Sequence, residues 1–155
     1  RSAHIIPANA KLVSVGQISQ PELTAAVPFL TSWTGPKSAP EIKHPAFPKM
    51  GATTVYFINK DKAPQSEIRI GYISLPYDVD GEFYRAGVMN YTLGGNFNSR
   101  INLTLREKKG YTYGARTSFS GSHFKGPFTA SAGVKAEKTD SSLMDFFAEM
   151  SAFRA

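Results

Sequence analysis

"SRINLTLREKKGYTYGARTSFSG", residues 99–121, can be read as two different folds. Ile101, Leu103 and Leu105 alternate as they would in a strand. Ile101 and Leu105 also share one face of a helix, with Leu103 and Arg106 on another. Lys108 and Lys109 followed by Gly110 decide the matter. Cations suit the negative end of a helix, and glycine is the residue that most easily leaves one. We therefore read a helix running to Gly110, a reversal there, and a strand returning from it.

The remaining elements follow outward from that reversal. "YTYGARTSFSG" and "GPFTASAGVKA" form a hairpin pair, with Tyr111, Tyr113, Ala115 and Phe119 on one side of the first strand. Phe128, Ala130, Ala132 and Val134 share one side of the second. "TDSSLMDFFAEMSAFRA" starts a last helix, capped at Thr139 or Asp140 and apolar along Leu143, Phe146, Phe147 and Met150. Upstream, "EFYRAGVMNYTLGG" is a helix with Phe83, Ala86, Val88 and Met89 mostly inward and Gly94 as its stop. "TTVYFINKDKAPQSEIRIGYISL" holds two strand patterns around a polar break at 60–66, an antiparallel pair in expectation.

Residues 34–49 hold four prolines without periodicity and make an extended connector. Before it, Ser19 and Glu22 form a capping box, and Leu23, Ala26, Phe29, Leu30 and Trp33 an apolar helix face that Pro28 should kink or end. "KLVSVGQIS" gives a short buried strand, residues 11–15, turning at Gly16. The order βα, ββ, αα, ββ, α is an α+β pattern: two layers, a largely antiparallel mixed sheet with helices on one face. We read 1–155 as a single domain.

Composition excludes several classes. An apolar fraction of 41% with 19% charged residues is globular. The net charge of +6 is spread along the chain rather than gathered in a patch, which argues against a dedicated nucleic-acid-binding domain. There is no cysteine, hence no disulfide, thiolate zinc site or cysteine nucleophile. No apolar run approaches the roughly 20 residues of a membrane helix. The first residue is Arg1 rather than Met, so the chain is expected to be a portion of something longer.

Few residues are placed for chemistry. His4, His44 and His123 lie far apart, and neither H-E-x-x-H nor H-x-x-E-H occurs. "LGGNFNSR" has glycines after a helix and no G-K-[ST], so it reads as a helix stop and tight turn rather than a phosphate loop. N-Y-T at Asn90 and N-L-T at Asn102 match a glycosylation pattern but fall inside predicted helices. Arg106 and Tyr113 remain. With the chain reversing at Gly110, a guanidinium and a phenol can reach one space and donate hydrogen bonds to peptide carbonyls or a developing oxyanion. On spacing alone, a structural arginine bonded to helix-end carbonyls reads the same way.

"LGGNFNSRINLTLREKKGYTYGARTSFSG" resembles the signature of the carboxy-terminal half of pitrilysin/insulinase-type zinc peptidases, the inverzincin family that includes mitochondrial processing peptidase. "IPANAKLVSVGQIS" with the helix to Trp33, "GPFTASAGVKAEKTDSSL" and, more loosely, the segment from Thr53 to Leu75 match in order. In that family two homologous α+β halves close around a chamber. One half holds zinc on H-x-x-E-H. The other supplies an arginine and a tyrosine seven positions apart, the spacing of Arg106 and Tyr113.

The resemblance implies a substrate-contacting, non-zinc segment of a zinc metalloendopeptidase, incomplete at both ends and inactive alone. Arg106 would stabilise a substrate carbonyl or intermediate, with Tyr113 as its hydrogen-bonding partner. No cofactor is expected in this segment, and zinc is expected in the partner half, carried by the same chain or by another subunit. A peptide is the implied substrate, without nucleic acid or membrane insertion, and the periplasm the implied compartment. The alternative is a catalytically inactive structural or peptide-binding subunit of the same family. Gln17 departs from the aspartate usual after the glycine, a local difference.

Overall fold

A computed structural model describes residues 4–49 and 51–154. The chain divides into two compact units, residues 1–49 and 50–155, each described by itself.

In the first unit, α1 (Gln20–Ala26) begins at the expected box: Glu22 Oε2 accepts from the Ser19 backbone N–H at 2.8 Å and from its hydroxyl at 2.6 Å. Pro28 cannot donate to the preceding turn, so α1 stops and α2 (Pro28–Ser32) starts anew. Leu23, Leu30 and Trp33 are half-buried, whereas Ala26 and Phe29 stay exposed. Residues 33–49 form no helix or strand, as the prolines require. The strand expected at 11–15 does not form. No strand among the described residues pairs with it, and Val15 is 96% exposed.

The second unit is built on a three-stranded antiparallel sheet of β1 (Gln65–Ile73), β2 (Thr112–Phe119) and β3 (Pro127–Lys135), in the order β1-β3-β2. The β2–β3 hairpin forms as read from the sequence. The pair expected around residues 60–66 does not: β1 pairs with β3, from Gln65 opposite Lys135 to Ile73 opposite Pro127. Val55 to Ile58 have no strand partner and lie exposed, Ile58 at 90%. A strand's backbone groups need a neighbour, and β3 is the neighbour that β1 takes.

Helices cover one face of this sheet. After α3 (Glu82–Asn90) the chain continues in a π-helical turn, Tyr91–Gly95. Gly94 therefore does not stop the helix. A Cβ there would come 2.6 Å from the Thr117 backbone nitrogen, so glycine is what allows the helix to lie against β2. Val88 and Met89 face outward, and Asn90 takes the buried position instead.

The 99–121 stretch resolves as helix then strand. α4 (Arg100–Asn102) runs into a second π-helical turn, Leu103–Lys108, with Lys109 N–H bonded to Thr104 O five residues back. Gly110, at φ +62°, makes the reversal in the left-handed region that glycine adopts freely.

α5 (Thr139–Arg154) closes the layer. The core joins Ile68, Phe128, Ala130, Ala132 and Val134 of the sheet to Leu93, Ile101, Leu105 and Phe146 of the helices. Small Ala130 and Ala132 let the helices approach closely. Arg100 and the Thr104 hydroxyl both bind Glu149, at 3.0 and 2.7 Å, and Lys109 binds Asp145 at 2.6 Å, which staples α4 and its extension to α5.

Candidate functional site

The site grows from an irregularity in β2. Thr112 lies opposite Val134 and Ala115 opposite Ala132, so three steps on β2 answer two on β3. The extra residue is a β-bulge, which re-aims side chains beside it. The Thr112 hydroxyl holds it, lying 2.7 Å from Gly133 O and 2.9 Å from Gly114 O while accepting the Gly114 N–H at 3.0 Å. The bulge corrects the expected alternation. Tyr113 does not share the core side with Ala115; it is 90% exposed and makes no hydrogen-bond, ring or charge contact among the described residues.

Arg106 sits on the π-helical turn that precedes Gly110. Its guanidinium carbon lies 4.2 Å from the centre of the Phe97 ring, and its Nη1 is 3.1 Å from Glu107 Oε1. Its described contacts are thus an aromatic face and a neighbouring carboxylate rather than helix-end carbonyls, and an aromatic face suits a guanidinium. Arg106 and Tyr113 are joined through the Gly110 reversal and not by direct contact.

Beside Phe97 and Gly114 opens a cavity of about 400 Å³. Residues 94–97 and Asn102 form one wall; residues 114–116, residues 131–133 and Glu67 form the rest. Arg106 and Tyr113 do not line it. Their neighbours do: Phe97, on which Arg106 stacks, and Gly114, next in chain to Tyr113. Both π-helical turns flank this region, and such turns occur disproportionately beside functional sites.

Two asparagines fix the wall to the sheet. Asn102 Oδ1 accepts the Ala115 N–H at 2.9 Å, and its Nδ2 donates to Phe97 O at 2.6 Å. Asn90 Nδ2 donates to Thr117 O at 2.9 Å, and its Oδ1 accepts from the Thr117 hydroxyl. The outer edge of β2 is therefore satisfied by side chains instead of another strand. Asn90 and Asn102 are 6% and 3% exposed, so the two N-x-T patterns present buried, hydrogen-bonded amides. Their structural role was missed in the sequence. The available signal was an asparagine inside an apolar helix stretch, where it is disfavoured unless a backbone group needs it.

The Asp145 hydrogen bond raises the Lys109 pKa above its ordinary value, against desolvation and with further attraction from Asp145 and Glu149. Lys109 is thus a fastened cation and no proton donor near neutral pH. Among the described residues no group of three or more His, Cys, Asp or Glu side chains could hold a metal ion, so zinc does not fit here. What the site offers is donors: a guanidinium and a phenol, with a cavity of mixed polar and apolar lining nearby.

A family model described as the peptidase M16 inactive domain matches residues 1–155. No curated protein matches the chain. Among solved structures, a peptidase M16 inactive domain from Pseudomonas fluorescens is 25% identical with a TM-score of 0.57, over 85% of this chain and 32% of that one. A conserved protein from Enterococcus faecalis V583 shares the fold at 19% identity and a TM-score of 0.64, over 86% of this chain and 31% of that one. The chain spans about a third of the length of these structures.

Proposed function

The chain belongs to the peptidase M16 inactive-domain family, and from that premise we propose that it is a substrate-contacting, non-zinc portion of a metalloendopeptidase. It works opposite a zinc-bearing half that supplies the hydrolytic chemistry. The single observation that carries this reading is the disposition of Arg106 and Tyr113. One is oriented on Phe97, which lines a cavity, and the other stands exposed on a pinned bulge next in chain to Gly114, which lines the same cavity. A peptide laid across the rim would meet a charge-assisted donor from Arg106 and a phenol donor from Tyr113. The Arg106 guanidinium is held on Phe97 before substrate arrives, so little reorganisation is needed there when charge develops on a carbonyl oxygen. The compartment we propose is the periplasm, which fractionation of cells expressing the parent protein would check.

In the complete protein together with its zinc half, Arg106→Ala should lower peptide kcat by about 10²-fold, the usual cost of losing one preorganised donor. Tyr113→Phe should lower it less, since it removes a neutral hydrogen bond. Unchanged cleavage in both variants would sink the assignment. The second reading is an inactive peptide-binding or structural subunit, favoured by the "inactive domain" description of the family. It expects no dependence of catalysis on either residue, with peptide binding retained.

A further inference from the structure

The face of the sheet opposite the helices carries a row that the Arg106 and Tyr113 reading does not use. Register places Arg69 of β1, Ser131 of β3 and Arg116 of β2 side by side across the three strands. Their neighbours along the strands, Ile68, Ala132 and Ala115, are buried on the helix side, so the row faces the other way.

Arg69 already has a counter-charge, with Nη2 lying 3.3 Å from Glu67 Oε1. Glu67, the carboxylate of that exposed pair, also lines the cavity. Arg116 also lines the cavity and has no hydrogen-bond, ion-pair or ring partner among the described residues. Beside it the half-buried Ser131 hydroxyl is likewise without a partner. The adjoining positions are glycines, Gly114 and Gly133; Glu67 Oε2 reaches over the second, 3.4 Å from where a Cβ would stand, and only Asn102 Oδ1 comes within 4.0 Å of a Cβ on the first.

We infer that Arg116, assisted by Ser131, forms a subsite of this cavity for the carboxylate of a peptide, and so sets a preference for an acidic group in the substrate. The inference rests on the peptide-contact reading above and deepens it. A guanidinium presents a planar fork that matches a carboxylate in two parallel hydrogen bonds, a geometry the lysine ammonium does not offer. Two sources supply that chemistry: an Asp or Glu side chain within the peptide, or the peptide's own carboxy terminus.

The test uses the complete protein with its zinc half and three matched peptides. One has an internal Glu and an amidated terminus, one has Gln in place of Glu with the same amide, and one has Gln with a free carboxy terminus. Binding by fluorescence anisotropy and cleavage kcat/KM are both measured. A carboxylate-bearing peptide should bind about tenfold more tightly than the neutral one, as charged hydrogen bonds typically allow. The first or the third peptide gaining that preference names the source.

Arg116→Gln should abolish the preference, so that the carboxylate-bearing peptides bind no more tightly than the neutral one, and Arg116→Lys should restore only part of it. Equal binding of all three peptides by the unmodified protein, or a preference that survives Arg116→Gln, would overturn the inference. The two readings fail separately. Preference without dependence of cleavage on Arg106 and Tyr113 removes the catalytic role alone. Cleavage that needs those two residues but shows no carboxylate preference removes this subsite alone.

Discussion

Asn102 shows how one side chain can do the work of a missing strand. An unpaired edge N–H at Ala115 and a loop carbonyl at Phe97 would each lose hydration without a partner, and one amide answers both. Asn102→Ala should therefore destabilise the protein by about 1–3 kcal/mol, the cost of leaving buried groups unsatisfied. Denaturant titration measures it, and a loss under a few tenths of a kcal/mol would show that water replaces the amide. Arg106 illustrates a second residue-level point. Its spacing from Tyr113 was legible in the sequence, but the Phe97 contact was not, because it depends on how α4 folds back over the turn that holds Phe97.

At the scale of elements, local chemistry and tertiary demand separate cleanly. The capping box at Ser19 and Glu22, the break at Pro28 and the exit at Gly110 all form where the sequence places them, since each depends on groups a few residues apart. The start of α3 adds an acidic clasp that the sequence reading did not single out. Desolvation raises the Asp78 pKa, but backbone N–H donors from Phe83, Tyr84, Gly81 and Glu82 outweigh it and hold the carboxyl below its ordinary value. A depressed carboxylate pKa contributes stability above the unfolded value, and that contribution is lost as pH falls through the folded one. Amide exchange at Gly81, Phe83 and Tyr84 should accordingly quicken, beyond its intrinsic pH dependence, as pH drops below about 4. Asp78→Asn should show the faster exchange already at neutral pH. Protection that is flat with pH in the unmodified protein would contradict the clasp.

At the scale of the whole molecule, the second unit is held by the contact of one sheet face with four helical segments. Phe146 is fully buried at the centre of that contact. Phe146→Ala should cost about 3–5 kcal/mol by opening a cavity where Ala130 and Ala132 leave no side chain able to refill it. A thermal or denaturant midpoint unchanged by the substitution would place the core elsewhere. The opposite face carries Arg69, Ser131 and Arg116, and the division of labour follows. One face stabilises the unit while the other carries the residues of the proposed subsite.

Periodicity, caps and turn residues determined the hairpin, the helix before Gly110 and the strand after it, the α+β class and the family resemblance. These are encoded by neighbours in sequence, and the Arg106 and Tyr113 spacing lies within one such local unit. Strand pairing was not determined in this way. Residues 11–15 and 53–59 carry strand patterns as good as that of β1, yet β1 alone of the three is paired, because a strand exists only where another strand meets its backbone. The bulge at Tyr113 and the burial of Asn90 and Asn102 were likewise decided in three dimensions. Each answers a hydrogen-bonding or packing demand set by residues at least 13 positions away in the chain.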